Sequence, residues 1–260
     1  MINNPVKIAF QNRNLTIGTW LQTGNPVAAE ILGNIGFDWI AADMEHTDLN
    51  EATFTNFVRA LPAGCMPFAR VEANDTISIR KVLDCGARGV IVPLVNSREE
   101  AVKAVRAAKY PPVGERGFAF CKANCWGVRF DEYAVSANMD TVVIVMVESR
   151  EAVENIDAIL DVDGVDGVFI GPYDLSGSYG IVGQTGDPVI RKACQKVAEA
   201  CIQRQKAAGI HIVIPNKAEI ERTLANGFTF IALGMDTIFL DRDARSAVEM
   251  IRSGRGDERL

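Results

Sequence analysis

The 260-residue chain is 48% hydrophobic and 23% charged, the make-up of a globular protein with room for one large core. Its formal net charge of −6 at pH 7 speaks against a nucleic-acid partner, because phosphate contacts need a basic face. No run is long and apolar enough for a membrane span or a signal peptide, so a cytoplasmic protein with no membrane partner is expected.

Eight short apolar runs alternate with helical patterns, which predicts one domain over 1–260. The runs are 16–21 (TIGTWL), 39–44 (WIAADM), 66–71 (MPFARV), 89–95 (GVIVPLV), 141–147 (TVVIVMV), 165–170 (VDGVFI), 210–214 (IHIVI) and 229–233 (TFIAL). Such runs read as strands buried on both faces of a parallel sheet. Helical spacing fills 26–34, 51–61, 76–85, 97–109, 149–160, 187–208, 217–226 and 237–251. Pro188 after Asp187, and Ser-Arg-Glu at 97 and 149, mark helix starts, while Gly33, Gly36, Gly86, Gly209 and Gly227 stand at or just past helix ends. Eight βα repeats predict a TIM-type (β/α)8 barrel. A doubly wound open sheet is the runner-up, but no GxGxxG follows the first strand.

Two segments break the rhythm. The insert at about 110–140 is too long for a plain connection and carries Phe118, Phe120, Trp126, Phe130 and Tyr133, so a packed wall or interface is expected there. The stretch 176–186 (SGSYGIVGQTG) is glycine-rich but fits no phosphate motif. The tail, 252–260, reads as a frayed polar end. Six cysteines (Cys65, Cys85, Cys121, Cys125, Cys194 and Cys201) show no metal-ligand spacing and read as reduced packing residues.

Barrel chemistry sits at the carboxyl ends of the strands. Those ends present Trp20, Asp43, Glu45, His46, Arg70, Glu148, Asp174, Asn216 and Asp236. Glu148 and Asp174 close the two strands of one βαβ unit, where two carboxylates can bind a hard cation such as Mg²⁺. A capping role for Asp174 and an ion pair for Glu148 stay open on spacing alone. His46, one of two histidines, is a candidate general acid or base, with a structural role as the alternative. Arg70 leaves an apolar strand, so it either pairs with Glu148 or Asp43 or clamps a substrate carboxylate or oxyanion. His211 lies inside a strand and reads as a packing residue. Schiff-base chemistry needs a lysine on a strand; only Lys217, just past the seventh, comes near.

At these residues the sequence resembles the HpcH/HpaI family of metal-dependent, class II pyruvate aldolases. The resemblance runs through IGTW (17–20), GFDWIAADMEH (36–46), FARVEAND (68–75), IRKVLDCGARGVIVPLV (79–95), KYPPVGERG (109–117), VESREAVENI (147–156), VDGVDGVFIGPYDLSGSYG (162–180) and ALGMD (232–236). It implies an aldolase that reversibly cleaves a 4-hydroxy-2-oxo acid to pyruvate and an aldehyde through an enolate. It implies Mg²⁺ or Mn²⁺ (Co²⁺ as a further option) on Glu148 and Asp174, and no organic cofactor. His46 matches the acid/base residue and Arg70 the arginine that steadies the enolate. Tyr173 and Asp174 match the backbone amides of the carboxylate pocket, which Trp20 also borders. Asp84 matches an aspartate credited with raising the basicity of the histidine. The topology puts it at the far barrel face, so such pairing has to cross a subunit interface; otherwise Asp43 is the partner. The resemblance also implies a homo-oligomer, commonly a hexamer.

One departure matters. Many members carry Gln two residues before the metal glutamate, where this chain has Met146. The strand period of two points Met146 into the site, and a thioether donates no hydrogen bond. Donor or reaction preference is therefore open to change. GERGFAFCKANCWG likewise replaces a run of small residues, so the resemblance does not carry over an aldehyde preference. Two rivals remain: carbon–carbon cleavage of another keto acid or a malyl- or citramalyl-CoA type acyl-CoA, and a non-catalytic binder of metal and keto acid.

Overall fold

A computed structural model describes residues 3–253. Its eight parallel strands pair in sequence order and close into a barrel, β1 against β8. The elements are α1 (Pro5–Gln11), β1 (Thr16–Leu21), α2 (Pro26–Gly33), β2 (Trp39–Asp43), α3 (Glu51–Ala60), β3 (Met66–Arg70), α4 (Thr76–Asp84), β4 (Gly89–Val92), α5 (Arg98–Ala108) and α6 (Phe130–Asp140). They continue with β5 (Val142–Val147), α7 (Arg150–Glu154), α8 (Ile156–Leu160), β6 (Gly167–Ile170), α9 (Pro172–Ser178), α10 (Pro188–Gln203), β7 (Ala207–Ile212), α11 (Lys217–Ala225), β8 (Phe230–Met235) and α12 (Asp236–Ser253). This is the TIM-type barrel that the eight repeats predict.

Alternation along each strand builds two cores. Side chains pointing outward, such as Ile40, Val90, Val143 and Val168, pack under the helices. Those pointing inward fill the barrel with Trp39, Phe68, Phe169 and Phe230. Trp39 stacks on Phe230 with ring centroids 4.2 Å apart, and there is room only because position 18 is glycine, where a Cβ would lie 2.1 Å from the indole. Removing such a ring costs about 3–5 kcal/mol. Helix starts follow the side-chain capping rule: Asp75 accepts from Ile77 N and Ser78 N, and Ser97 with Glu100 forms a capping box.

Several local features go beyond or correct the sequence reading. Helix α1, which has no strong apolar period, plugs the amino-terminal mouth of the barrel with Val6 and Phe10, the latter edge-on to Phe230 at 5.2 Å. The helix expected over 187–208 stops at Gln203, and β7 begins at Ala207 instead of 210. Ala207, Ala208 and Gly209 look helical by composition, yet small residues are what the barrel needs there: a Cβ on Gly209 would meet Phe169 at 2.7 Å and Phe230 at 2.8 Å. The 149–160 helix breaks at Asn155, whose side chain donates to Asn96 O at 2.8 Å. The insert at 110–140 is partly helical, with a 3₁₀ turn at Lys122–Asn124 and then α6. In the same way α9 takes up the start of 176–186, and Arg252 and Ser253 belong to α12 while the rest of the expected tail lies outside the described residues.

Candidate active site

Strand polarity places Glu148, one residue past β5, and Asp174, in the first turn of α9 after β6, at the same carboxyl edge. Leu94 N donates to Glu148 Oε1 at 2.7 Å, which fixes the buried carboxylate. Its other oxygen faces Asp174 across Gly171. A Cβ at position 171 would lie 3.3 Å from Glu148 Oε2 and 3.8 Å from Asp174 Oδ2, so the glycine keeps open the space between the two acids. Burial, and then the nearby Asp174 charge, push the Glu148 carboxyl above its usual range despite the Leu94 hydrogen bond. A divalent cation relieves that repulsion, and an all-oxygen pair suits hard Mg²⁺ or Mn²⁺. Among the described residues no third carboxylate, histidine or cysteine forms a metal-ligating cluster with them. The donor set fits the metal.

Next to this pair, the β2–β3 register sets Asp43 beside Arg70. Asp43 Oδ1 accepts from Arg70 Nε at 2.9 Å and Oδ2 from an outer guanidinium nitrogen, Nη2, at 2.7 Å, while the guanidinium carbon lies 4.8 Å from the Trp20 ring centroid. Burial opposes the Asp43 charge, but the Arg70 hydrogen bonds and attraction outweigh it and hold the carboxyl below its usual range, helped by Gln22 and the His46 backbone. Of the two partners left open for Arg70, Asp43 is the one observed. Asp236 accepts from the Gln22 and Thr23 backbone at 2.9 and 3.0 Å and so fixes the loop that carries Gln22, and Asn216 caps α11. Asp236 is thus a structural strand end, while Asn216 caps its helix and also borders the cavity at this edge.

His46 stands at the rim with its side chain 62% exposed. Asp43 reaches only its backbone N–H, at 3.3 Å. The carboxylate nearest the imidazole is that of Glu45, with Oε2 3.5 Å from His46 Nε2 and 3.4 Å from Arg70 Nε. This buried oxygen has no hydrogen-bond partner among the described residues, and burial pushes the Glu45 carboxyl up against the pull of Arg70. The sequence places Glu45 at a strand end without giving it a role; the signal was an acid directly preceding the candidate base. Asp84 ends α4 on the amino-terminal side of the barrel, where Arg116, buried against Tyr110, donates to it at 2.7 Å. Within one chain it does not join the other site residues.

Trp20, Asp43, Arg70, Met146, Tyr173 and Asp174 all line one cavity of about 970 Å³. Met146 belongs to the inward-facing layer, as the strand period predicts. His211, read from sequence as packing, also lines this cavity.

Fold and edge together define a TIM-type barrel with a candidate site at the carboxyl ends of its strands. The sequence model of the HpcH/HpaI aldolase/citrate lyase family matches residues 16–241, and the chain belongs to that family. It is 39% identical to a 4-hydroxy-2-oxo-heptane-1,7-dioate aldolase of Shigella sonnei over 94% of each chain. It is 36% identical to a 2-keto-3-deoxy-L-rhamnonate aldolase of Salmonella typhi over 97% of this chain and 95% of the relative. The crystal structure of a family protein from Burkholderia cenocepacia J2315 superposes with a TM-score of 0.92 at 32% identity, covering 96% of this chain and all of the other. These relatives support an aldolase function, that of a carbon–carbon lyase.

Proposed function

We propose that the protein is a divalent-metal-dependent aldolase that reversibly splits a 4-hydroxy-2-oxo acid into pyruvate and an aldehyde. The observation that carries this reading is the convergence of Glu148 Oε2 and Asp174 Oδ2 over Gly171, beside a guanidinium held in place by Asp43. Glu148 and Asp174 would hold Mg²⁺ or Mn²⁺, and the ion would supply Lewis acidity to the substrate's oxygens. Arg70 adds a permanent cation at the same place, and its salt bridge to Asp43 keeps it there before substrate arrives. Trp20 fixes the guanidinium plane from the other side, and the amides of Tyr173 and Asp174, in the first turn of α9, receive the substrate carboxylate. His46, at the open rim, takes the C4 hydroxyl proton during cleavage and returns one in the aldol direction. Glu45 lies where it stabilises the protonated imidazole.

Two wider features belong to this reading. The enzyme acts in the cytoplasm as a homo-oligomer, with a hexamer as the expected order and Asp84 serving a neighbouring site. Support for assembly comes from apolar surface that one chain leaves uncovered. Val27, Ile31 and Ile35 form an exposed stripe along and just past α2, most of α12 is exposed through Leu240, Met250 and Ile251, and Phe120 and Trp126 stand out of the insert. The test of the function is pyruvate release from 4-hydroxy-2-oxo acids. Release that stops after EDTA treatment and returns with Mn²⁺ or Mg²⁺ is expected; release that ignores EDTA overturns the metal's part.

A further inference from the structure

His211 occupies a position that the reaction described so far does not use. Along β7, Ala207 and Gly209 face the barrel interior, so His211, two residues on, faces it too and stands in its uppermost layer. Its ring meets Trp20 edge-on, with centroids 6.2 Å apart, and it lines the same cavity as Arg70, Met146 and Asp174. Its Nε2 lies 3.0 Å from Gly234 O, a carbonyl that also accepts from Thr19 Oγ1 at 3.2 Å. A carbonyl only accepts, so Nε2 carries the proton. Burial, reinforced by the Arg70 charge, drives the imidazole down to about 4 against that hydrogen bond, so the ring is neutral at pH 7. Nδ1 is then a bare acceptor. None of the described residues donates to it, and Met146 and Phe169 in the same wall have nothing to offer.

We propose that His211 is a specificity-determining residue whose Nδ1 accepts a hydrogen bond from a hydroxyl group of the substrate. Keto and carboxylate oxygens bring only lone pairs and are repelled by it; a hydroxyl brings the missing hydrogen. The hydroxyl has two possible sources, the carbon next to the keto group of the donor acid and the carbon next to the aldehyde. The inference rests on the aldolase reading and assigns it a hydroxylated substrate class.

The experiment compares kcat/KM for hydroxypyruvate against pyruvate as donor, and for glycolaldehyde against acetaldehyde as acceptor, in wild type, His211→Phe and His211→Asn. Phenylalanine keeps a ring against Trp20, while asparagine puts an amide oxygen near the site of Nδ1. Expected is a preference of roughly tenfold for the hydroxylated partner in one arm, the size of one neutral hydrogen bond. It is lost in His211→Phe and largely kept in His211→Asn; the arm that shows it identifies the source. If His211→Phe does not fold, His211→Leu carries the same prediction. A wild type indifferent to hydroxyls in both arms, or a preference untouched by loss of the imidazole, overturns the inference and leaves the aldolase reading standing. A wild type that condenses no donor with any acceptor removes both.

Discussion

The two mouths of the barrel handle buried charge in opposite ways. At the amino-terminal mouth, Lys7 donates to Thr141 O at 2.9 Å and pairs with Asp166 at 3.0 Å, while Asp166 also accepts from Val143 N. Lys109 donates to Asn138 O and Thr141 O at 2.8 and 2.7 Å, and Asn4 ties α1 to Arg88 O and Asp140 O. The lysines, Asn4 and Asp166 are all partnered, with Arg88 Nε nearby the exception, so this mouth is a largely closed polar plug. At the carboxyl mouth the pairing is left incomplete. Glu45 Oε2 has no donor, Glu148 faces Asp174 instead of a cation of the chain, and His46 points to solvent. Polar groups that a fold leaves unmatched mark where it expects something from outside.

Variants at the two mouths should therefore fail differently. The largest effect belongs to Arg70→Ala. Aldol cleavage is expected to fall by roughly 10²–10³-fold, as for loss of a preorganised donor, and the buried Asp43 left behind lowers the melting temperature as well. Arg70→Lys should recover stability better than turnover, because an ammonium cannot bridge both Asp43 oxygens in the same fork. Undiminished cleavage in Arg70→Ala would remove that residue from the mechanism. Gly171→Val comes next. Position 171 has φ −101°, which any residue adopts, so the fold should hold while the added atoms crowd the two carboxylates. Mn²⁺ affinity followed by electron paramagnetic resonance should drop at least about tenfold, the scale seen when a metal site's surroundings are disturbed.

The smallest effect on activity, and a clear one on stability, is expected at the plug. Burial, followed by the Lys7 charge, pushes Lys109 down to about 7 from an ordinary 10.5. Between those values the unfolded chain holds a proton on this lysine that the folded chain lacks, so its contribution to stability grows as pH rises through the window. Lys109→Met should melt lower at pH 9, by about 1–3 kcal/mol for the two carbonyls left without a donor. The gap between wild type and variant should narrow toward pH 7, with cleavage rates alike. A gap that stays constant with pH would mean that Lys109 is charged in the fold.

The barrel was legible because the Val/Ile-rich runs at 89, 141 and 165 each announce a strand buried on both sides, and capping residues such as Asp75 and Ser97 punctuate the helices between. The plug was not, since α1 owes its place to the mouth it fills more than to its own pattern. β7 was misplaced because small residues at 207–209 are chosen by Phe169 and Phe230 across the barrel, a constraint absent from local sequence. At the edge, strand endings and family resemblance together picked out Trp20, Asp43, Arg70, Glu148 and Asp174, and the structure gathers them. Glu45 and His211 escaped because what distinguishes them is a missing partner, and missing partners are a property of three dimensions. Asp84 is the opposite case: its motif is clear, but the chain places it with Arg116, away from the edge.

The most direct measurement is exchange of the pyruvate methyl protons in D₂O, followed by NMR with Mn²⁺, with EDTA, and in Glu148→Gln. Exchange needs only enolate formation at the Glu148–Asp174 edge and does not depend on choosing an aldehyde. The account predicts exchange with the metal, background rates with EDTA, and background rates in Glu148→Gln even with Mn²⁺ present. Exchange in wild type that survives EDTA, or that Glu148→Gln leaves intact, would contradict it.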